Sequence, residues 1–234
     1  MRTRFQQGLD ELKVKLLRMG GMAEQAVERA TEAYRRRDLK LCQAVLEGER
    51  AINMVEREID ELALDLLAMQ QPMATDLRFI MAVMKINADL ERVGDQAVNI
   101  AQRVMDMATL PPVELPVDMP RMAATSAGMV RRALESFVEA KPAIAEAVLK
   151  MDDVVDRMDD EIFVRMVEKM HADPSVTRQA LDALLVARNL ERVADHATNI
   201  AEDVIFWVSG ADVRHLGGGE APKEELEPEK PEVH

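Results

Sequence analysis

Apolar residues in the first part of the chain recur at alternating intervals of four and three. Phe5, Leu9, Leu12, Leu16, Met19, Ala23, Ala26, Ala30 and Ala33 therefore line one face of a 3.6-residue helix. A second stripe comprises Leu41, Val45, Ile52, Val55, Ile59, Leu62 and Leu66, and a third Ile86, Leu90, Val93, Ala97, Ile100, Val104 and Met107. Each pattern predicts a helix of about 30 residues, and long helices with short connections predict an antiparallel bundle.

The interruptions mark the ends. Arg37-Asp38 separates the first two helices. Gln71-Pro72 ends the second, because proline disfavours helix at the residue before it, and Thr75 or Asp76 is expected to cap the third. The prolines of Leu110-Pro111-Pro112-Val113-Glu114-Leu115-Pro116 read as a linker. Beyond it the first half recurs. Met19-Gly20 returns as Met122-Ala123, and Ile52-Asn53 as Val155-Asp156. Leu90-Glu91-Arg92-Val93-Gly94-Asp95 returns as Leu190-Glu191-Arg192-Val193-Ala194-Asp195. Asp173-Pro174 stands where Gln71-Pro72 stood. A repeat of this size implies a duplicated structural unit. The expected fold is all-α, with two tandem three-helix bundles built from six long antiparallel helices. The first bundle covers residues 1–109, the linker 110–117 and the second bundle 118–209. From 210 to 234 the apolar period is lost among Gly, Pro and Glu, which predicts a disordered acidic tail.

Composition strengthens the helical reading, since 17 methionines accompany only 3 % aromatics and strands favour aromatic and β-branched residues. The net charge of −13 repels phosphate backbones and argues against nucleic acid as a partner. No stretch reaches the roughly 18 apolar residues of a membrane span. The N-terminus lacks the apolar core of a signal peptide. Cys42, the single cysteine, fits a reducing cytoplasm and reads as a small core residue.

The candidate chemistry lies in repeated carboxylates. Glu91, Asp95 and Asn99 follow one another at spacing four, as do Glu191, Asp195 and Asn199, with Glu202 further on. Each set forms a strip about 80° wide, roughly opposite the apolar stripe. The second helix carries Glu49, Asn53, Glu56 and Asp60, and the fifth carries Asp152, Asp156 and Asp159. When each hairpin folds at its proline, residues equidistant from the break come level. Glu49 and Asp95 each lie 23 positions from Pro72, and Asn53 and Glu91 each lie 19. Asp152 with Asp195, and Asp156 with Glu191, are likewise symmetric about Asp173-Pro174. Acids held that close repel unless a cation or protons intervene. An oxygen-rich set without cysteine suits Mg²⁺, Mn²⁺ or Ca²⁺ and also holds iron; zinc is a further option. One metal site per half is expected. The plainer alternative is a solvated acidic face neutralised by Arg92 and Arg192. His196 has Gln96 as its counterpart, which speaks against a ligand role common to both halves.

The strings from Leu90 to Ala101 and from Leu190 to Glu202 resemble the signature of the PhoU family, and Gln70-Gln71-Pro72-Met73-Ala74-Thr75-Asp76-Leu77-Arg78 resembles that family's turn between its second and third helices. The resemblance covers roughly residues 5–210. It implies two three-helix bundles and surface metal clusters, falling here on Glu49/Asn53 with Glu91/Asp95 and on Asp152/Asp156 with Glu191/Asp195. Asn53 departs from the acidic pattern. The resemblance also implies a negative regulator of the phosphate response, linking the ATPase subunit of a phosphate ABC transporter to a sensor histidine kinase. Such a protein is expected to be a cytoplasmic homodimer that meets the membrane only through its partners. Two other classes compete with this reading. A carboxylate-bridged metalloenzyme needs paired Glu-x-x-His ligands aimed into the core, and the repeated acidic strips carry no such pair; no nucleophile–base pair is evident. A direct phosphate sensor needs a Gly-rich loop before a helix, and Gly217-Gly218-Gly219 has no following helix.

Overall fold

The apolar stripes turn inward on helices, as their period demands. The computed structural model describes residues 4–70 and 72–211. It contains α1 (Arg4–Arg36), α2 (Leu39–Gln70), α3 (Ala74–Ala108), α4 (Met119–Glu139), α5 (Pro142–Ala172) and α6 (Thr177–Ser209). There is no strand among the described residues. Leu12, Leu16, Met19, Ala23, Ala30 and Ala33 of α1 are wholly buried, and the other stripes pack onto the same core. Residues 109–118 connect α3 to α4. Residues 212–234, most of the expected acidic tail, lie outside the described residues.

Local chemistry ends each helix. Arg37 adopts a left-handed φ of 52°, and the Asp38 carboxylate accepts the Lys40 N–H at 2.8 Å, so α2 starts with a side-chain cap. Asp118 does the same for α4 by accepting the Arg121 N–H at 3.2 Å, with Pro120 in the first turn. Asp173 accepts both the N–H and the hydroxyl of Ser175 and opens a 3₁₀ turn, Pro174–Val176. Gly210, at φ 75°, closes α6. The expectation for α3 fails: its cap position is Met73, without a side-chain hydrogen bond. Thr75 and Asp76 lie inside the helix, where Asp76 faces the positive end of the helix dipole instead.

Helices α1, α2 and α3 pack together, as do α4, α5 and α6, and the halves join where α3 meets α6 and α1 meets α4. Helices α2 and α5 touch only their own half. Lys85 meets Asp203 at 3.0 Å, and Asp89 meets His196 at 2.9 Å. Earlier residues of α3 thus oppose later residues of α6, so the two run antiparallel. Close approach of α1 to α4 depends on Gly20, where a Cβ would lie 2.2 Å from Leu134 Cδ1. At one end of the join, Phe79 of α3, Phe137 of α4 and Trp207 of α6 form a ring cluster with centroids 5.2–5.7 Å apart. The two bundles therefore share one continuous core.

Candidate metal centre

Because α2 and α5 lie at the outside of the molecule, the hairpins α2/α3 and α5/α6 place their acidic strips away from the join. In the first hairpin, burial raises the Glu91 pKa, and the charges of Asp95, Glu56 and Glu49 raise it further. Burial likewise raises Glu56, with Asp60 and Asp95 adding to the effect. Glu49, Glu56, Glu91 and Asp95 thus share one field across the two helices, as the equal-height argument requires. Asn53 also borders an open surface with Arg50, Arg57 and Glu58. Asn99 donates to Gln96 on its own helix at 3.4 Å.

The second hairpin is the more strained. Asp152 is pushed up to about 6, first by burial and then by Asp156 and Asp195, with Asp153 and Glu202 adding to them. One of its oxygens, Oδ1, is sealed from solvent and has no hydrogen-bond partner. Burial also raises Asp195, with Asp156 the leading charge. Glu191 rises through burial and then through Asp195, against the opposing pull of Arg188. That arginine holds Asp159 and Glu191 at 3.2 Å each. Asp159 still rises through burial, with Arg188 pulling it back. Asn199 is drawn to the join, donating to Asp89 Oδ1 at 3.3 Å.

Sequence reasoning missed two participants. Asn87 donates to the Glu56 carbonyl and to Asp60 Oδ1, both at 3.0 Å, and ties the first hairpin together. It continues the spacing-four strip one turn before Glu91. Arg188, not Arg92 or Arg192, makes the ion pairs to the second strip, and it sits three residues before Glu191. Its counterpart one repeat earlier is Ala88, so only the second hairpin carries this internal cation.

Among the described residues, no three carboxylates, histidines or cysteines converge closely enough to hold one ion as they stand. The donor set nevertheless fits a hard cation. It is made only of oxygens, its members repel one another, and Asp152 offers a buried oxygen with no other partner. The repulsion has a consequence for stability. A folded pKa of about 6 against an ordinary 3.8 means the native state binds the extra proton. Stability from this group is therefore present at low pH and lost as pH rises through that interval. Full linkage is worth about 3 kcal/mol, which solvent screening at a partly open side chain reduces to about 1 kcal/mol. In chelator, Asp152→Asn is expected to match the wild type near pH 4 and to be about 1 kcal/mol more stable near pH 7. Urea unfolding at both values checks this; parallel profiles for the two proteins would exclude it.

Comparison with known proteins agrees with the duplication. The family model described as PhoU domain matches twice, over residues 16–104 and 119–204. The chain is 38 % identical over 216 residues to a Pseudomonas putida protein named phosphate-specific transport system accessory protein PhoU homolog, covering 91 % of this chain and 84 % of that one. It is 32 % identical over 219 residues to the Escherichia coli (strain K12) protein of the corresponding name, covering 94 % and 91 %. The crystal structure of PhoU from Pseudomonas aeruginosa superposes with a TM-score of 0.85 at 36 % identity, over 89 % of this chain and all of that one. With a repeated domain match, a shared six-helix fold and relatives aligned along nearly their whole length, this chain belongs to the PhoU family.

Proposed function

We propose that the chain is a negative regulator of phosphate uptake and phosphate-starvation signalling. It acts as a metal-binding adaptor between the ATPase subunit of a phosphate ABC transporter and a sensor histidine kinase. The observation that carries this reading is the pair of outward-facing hairpins, each holding acids in mutual repulsion. Family membership and the relatives' names supply the phosphate context. Glu49, Glu91 and Asp95, with Asn53 as a weaker donor, would hold a cation in the first half. Asp152, Asp156, Glu191 and Asp195 would hold one in the second. Glu56, Asn99, Asp159 and Asn199 are reserve ligands, and the last three already have partners. Mg²⁺, Mn²⁺, iron or zinc would supply positive charge that cancels the repulsion and gives each hairpin a defined surface for a partner. No described helix is long and apolar enough to cross a membrane, so contact with the membrane runs through those partners. The adaptor works in the cytoplasm as a homodimer. The protein performs no catalysis in this reading: the strips lie on outer faces, not in the enclosed core where carboxylate-bridged bundles build their centres.

A reporter of phosphate-responsive transcription tests this. Glu91→Ala with Asp95→Ala is expected to derepress the reporter in phosphate-replete cells while the purified double variant keeps wild-type helicity. Full repression by a well-folded double variant would defeat the adaptor reading.

A further inference from the structure

The duplication is broken at one exposed place. Between α5 and α6, Phe163, Leu181, Leu184 and Leu185 form the floor of an open groove of about 640 Å³. Phe163 is 57 % exposed, Leu181 48 % and Leu185 46 %, so these side chains contribute little to the protein's own core. By the repeat spacing, Phe163 corresponds to Asp60 and Leu185 to Lys85. At these two positions the first half has charges where the second has apolar side chains, while Met81 and Met84 stand where the second half has Leu181 and Leu184. Contiguous exposed apolar surface on a folded protein marks an interaction site more often than isolated residues do.

The rim identifies the occupant. Asp159 and Asp160 border the groove, and exposed Asp156 and Asp195 continue the negative surface beyond it. Arg188, the groove's one cation, is already engaged by Asp159 and Glu191. A second copy of this chain would bring identical acidic rims together, which like charges oppose. An anionic lipid surface would be repelled by the same rim. A floor spanning two turns of α6, Leu181 to Arg188, matches the footprint of an amphipathic helix in a groove. We infer that the α5/α6 groove docks an amphipathic helix of a partner protein, apolar toward Phe163 and Leu185 and flanked by lysine or arginine that meets Asp160 and Asp156.

This rests on the adaptor reading only in requiring a protein partner, and it is tested without metal or phosphate signalling. A fluorescein-labelled helical peptide with a leucine face and lysine flanks is titrated against the full chain in chelator, by anisotropy. Saturable binding is expected, weakened about tenfold or more by Phe163→Ser with Leu185→Ser. It should be unchanged by Leu64→Ser, an equally exposed position on α2 (56 %). The same peptide with glutamate flanks should bind at least about tenfold more weakly. No binding by the wild type, equal binding by the double serine variant with wild-type circular dichroism, or equal binding of the glutamate peptide would overturn the inference. So would self-association, or anionic-vesicle binding, that the same serine substitutions abolish. Full repression by the Glu91/Asp95 variant bears on the adaptor reading alone, so the two failures are separable.

Discussion

Phe137→Ala will destabilise the protein by about 3–5 kcal/mol, the usual cost of removing a buried aromatic ring and leaving its space unfilled. The ring is wholly buried, lies 5.7 Å from Phe79 and 5.3 Å from Trp207, and thereby links α4 to both α3 and α6 at one end of the join. The cavity cannot close easily, because Phe79 and Trp207 are held by each other at 5.2 Å, and the Trp207 carbonyl accepts the Arg78 Nε–H at 3.4 Å. Val138→Ala, at a neighbour that is 40 % exposed, should cost no more than about 0.5 kcal/mol. Chemical unfolding followed by circular dichroism and by the fluorescence of Trp207, the only tryptophan, reads both quantities. A shared core requires the two signals to coincide in wild type. A Phe137→Ala cost below about 1 kcal/mol would mean the ring cluster does not hold the halves together.

Helix number and the helical breaks were legible because burial imposes a 3.6-residue period and proline interrupts it. Which residues of a hairpin come level follows for a related reason: constant rise makes distance from a bend a measure of height. Asp159 and Arg188, symmetric about Asp173-Pro174, meet at 3.2 Å, which is that rule in the coordinates. The α3/α6 join was not legible. Asp89, His196, Lys85 and Asp203 look like solvent-facing residues when one helix is read alone. Their partners are more than 100 residues away and declare themselves only when two polar faces meet. Asp89 is 6 % exposed because α6 covers it, and no periodicity within α3 announces a second buried face. Arg188 was not legible for a subtler reason: the duplication reveals what the halves share, whereas this side chain, like Phe163, belongs to what separates them.

Metal affinity is expected to follow these differences. Titrating Mn²⁺ into chelator-stripped protein by calorimetry should reveal binding that Asp152→Ala with Asp195→Ala weakens about 100-fold or more at the second hairpin, since both substitutions remove charged oxygen donors. The sign of two further changes separates a cation site from a merely acidic surface. Arg188→Ala removes the cation that holds Asp159 and Glu191, so Mn²⁺ should bind the second hairpin about fivefold to tenfold more tightly, a partly screened unit charge being worth about 1 kcal/mol. Asn53→Asp supplies the acid that the first hairpin lacks and should tighten that site by a similar factor. The Asp152/Asp195 double variant should also lose the gain in thermal stability that saturating Mn²⁺ gives the wild-type second hairpin, because an ion bound only by the folded state stabilises it by mass action. Unchanged titrations across all these variants would leave the strips as solvated faces. An Arg188→Ala protein that binds Mn²⁺ more weakly would show that the arginine organises the acids and does not compete with the ion for them.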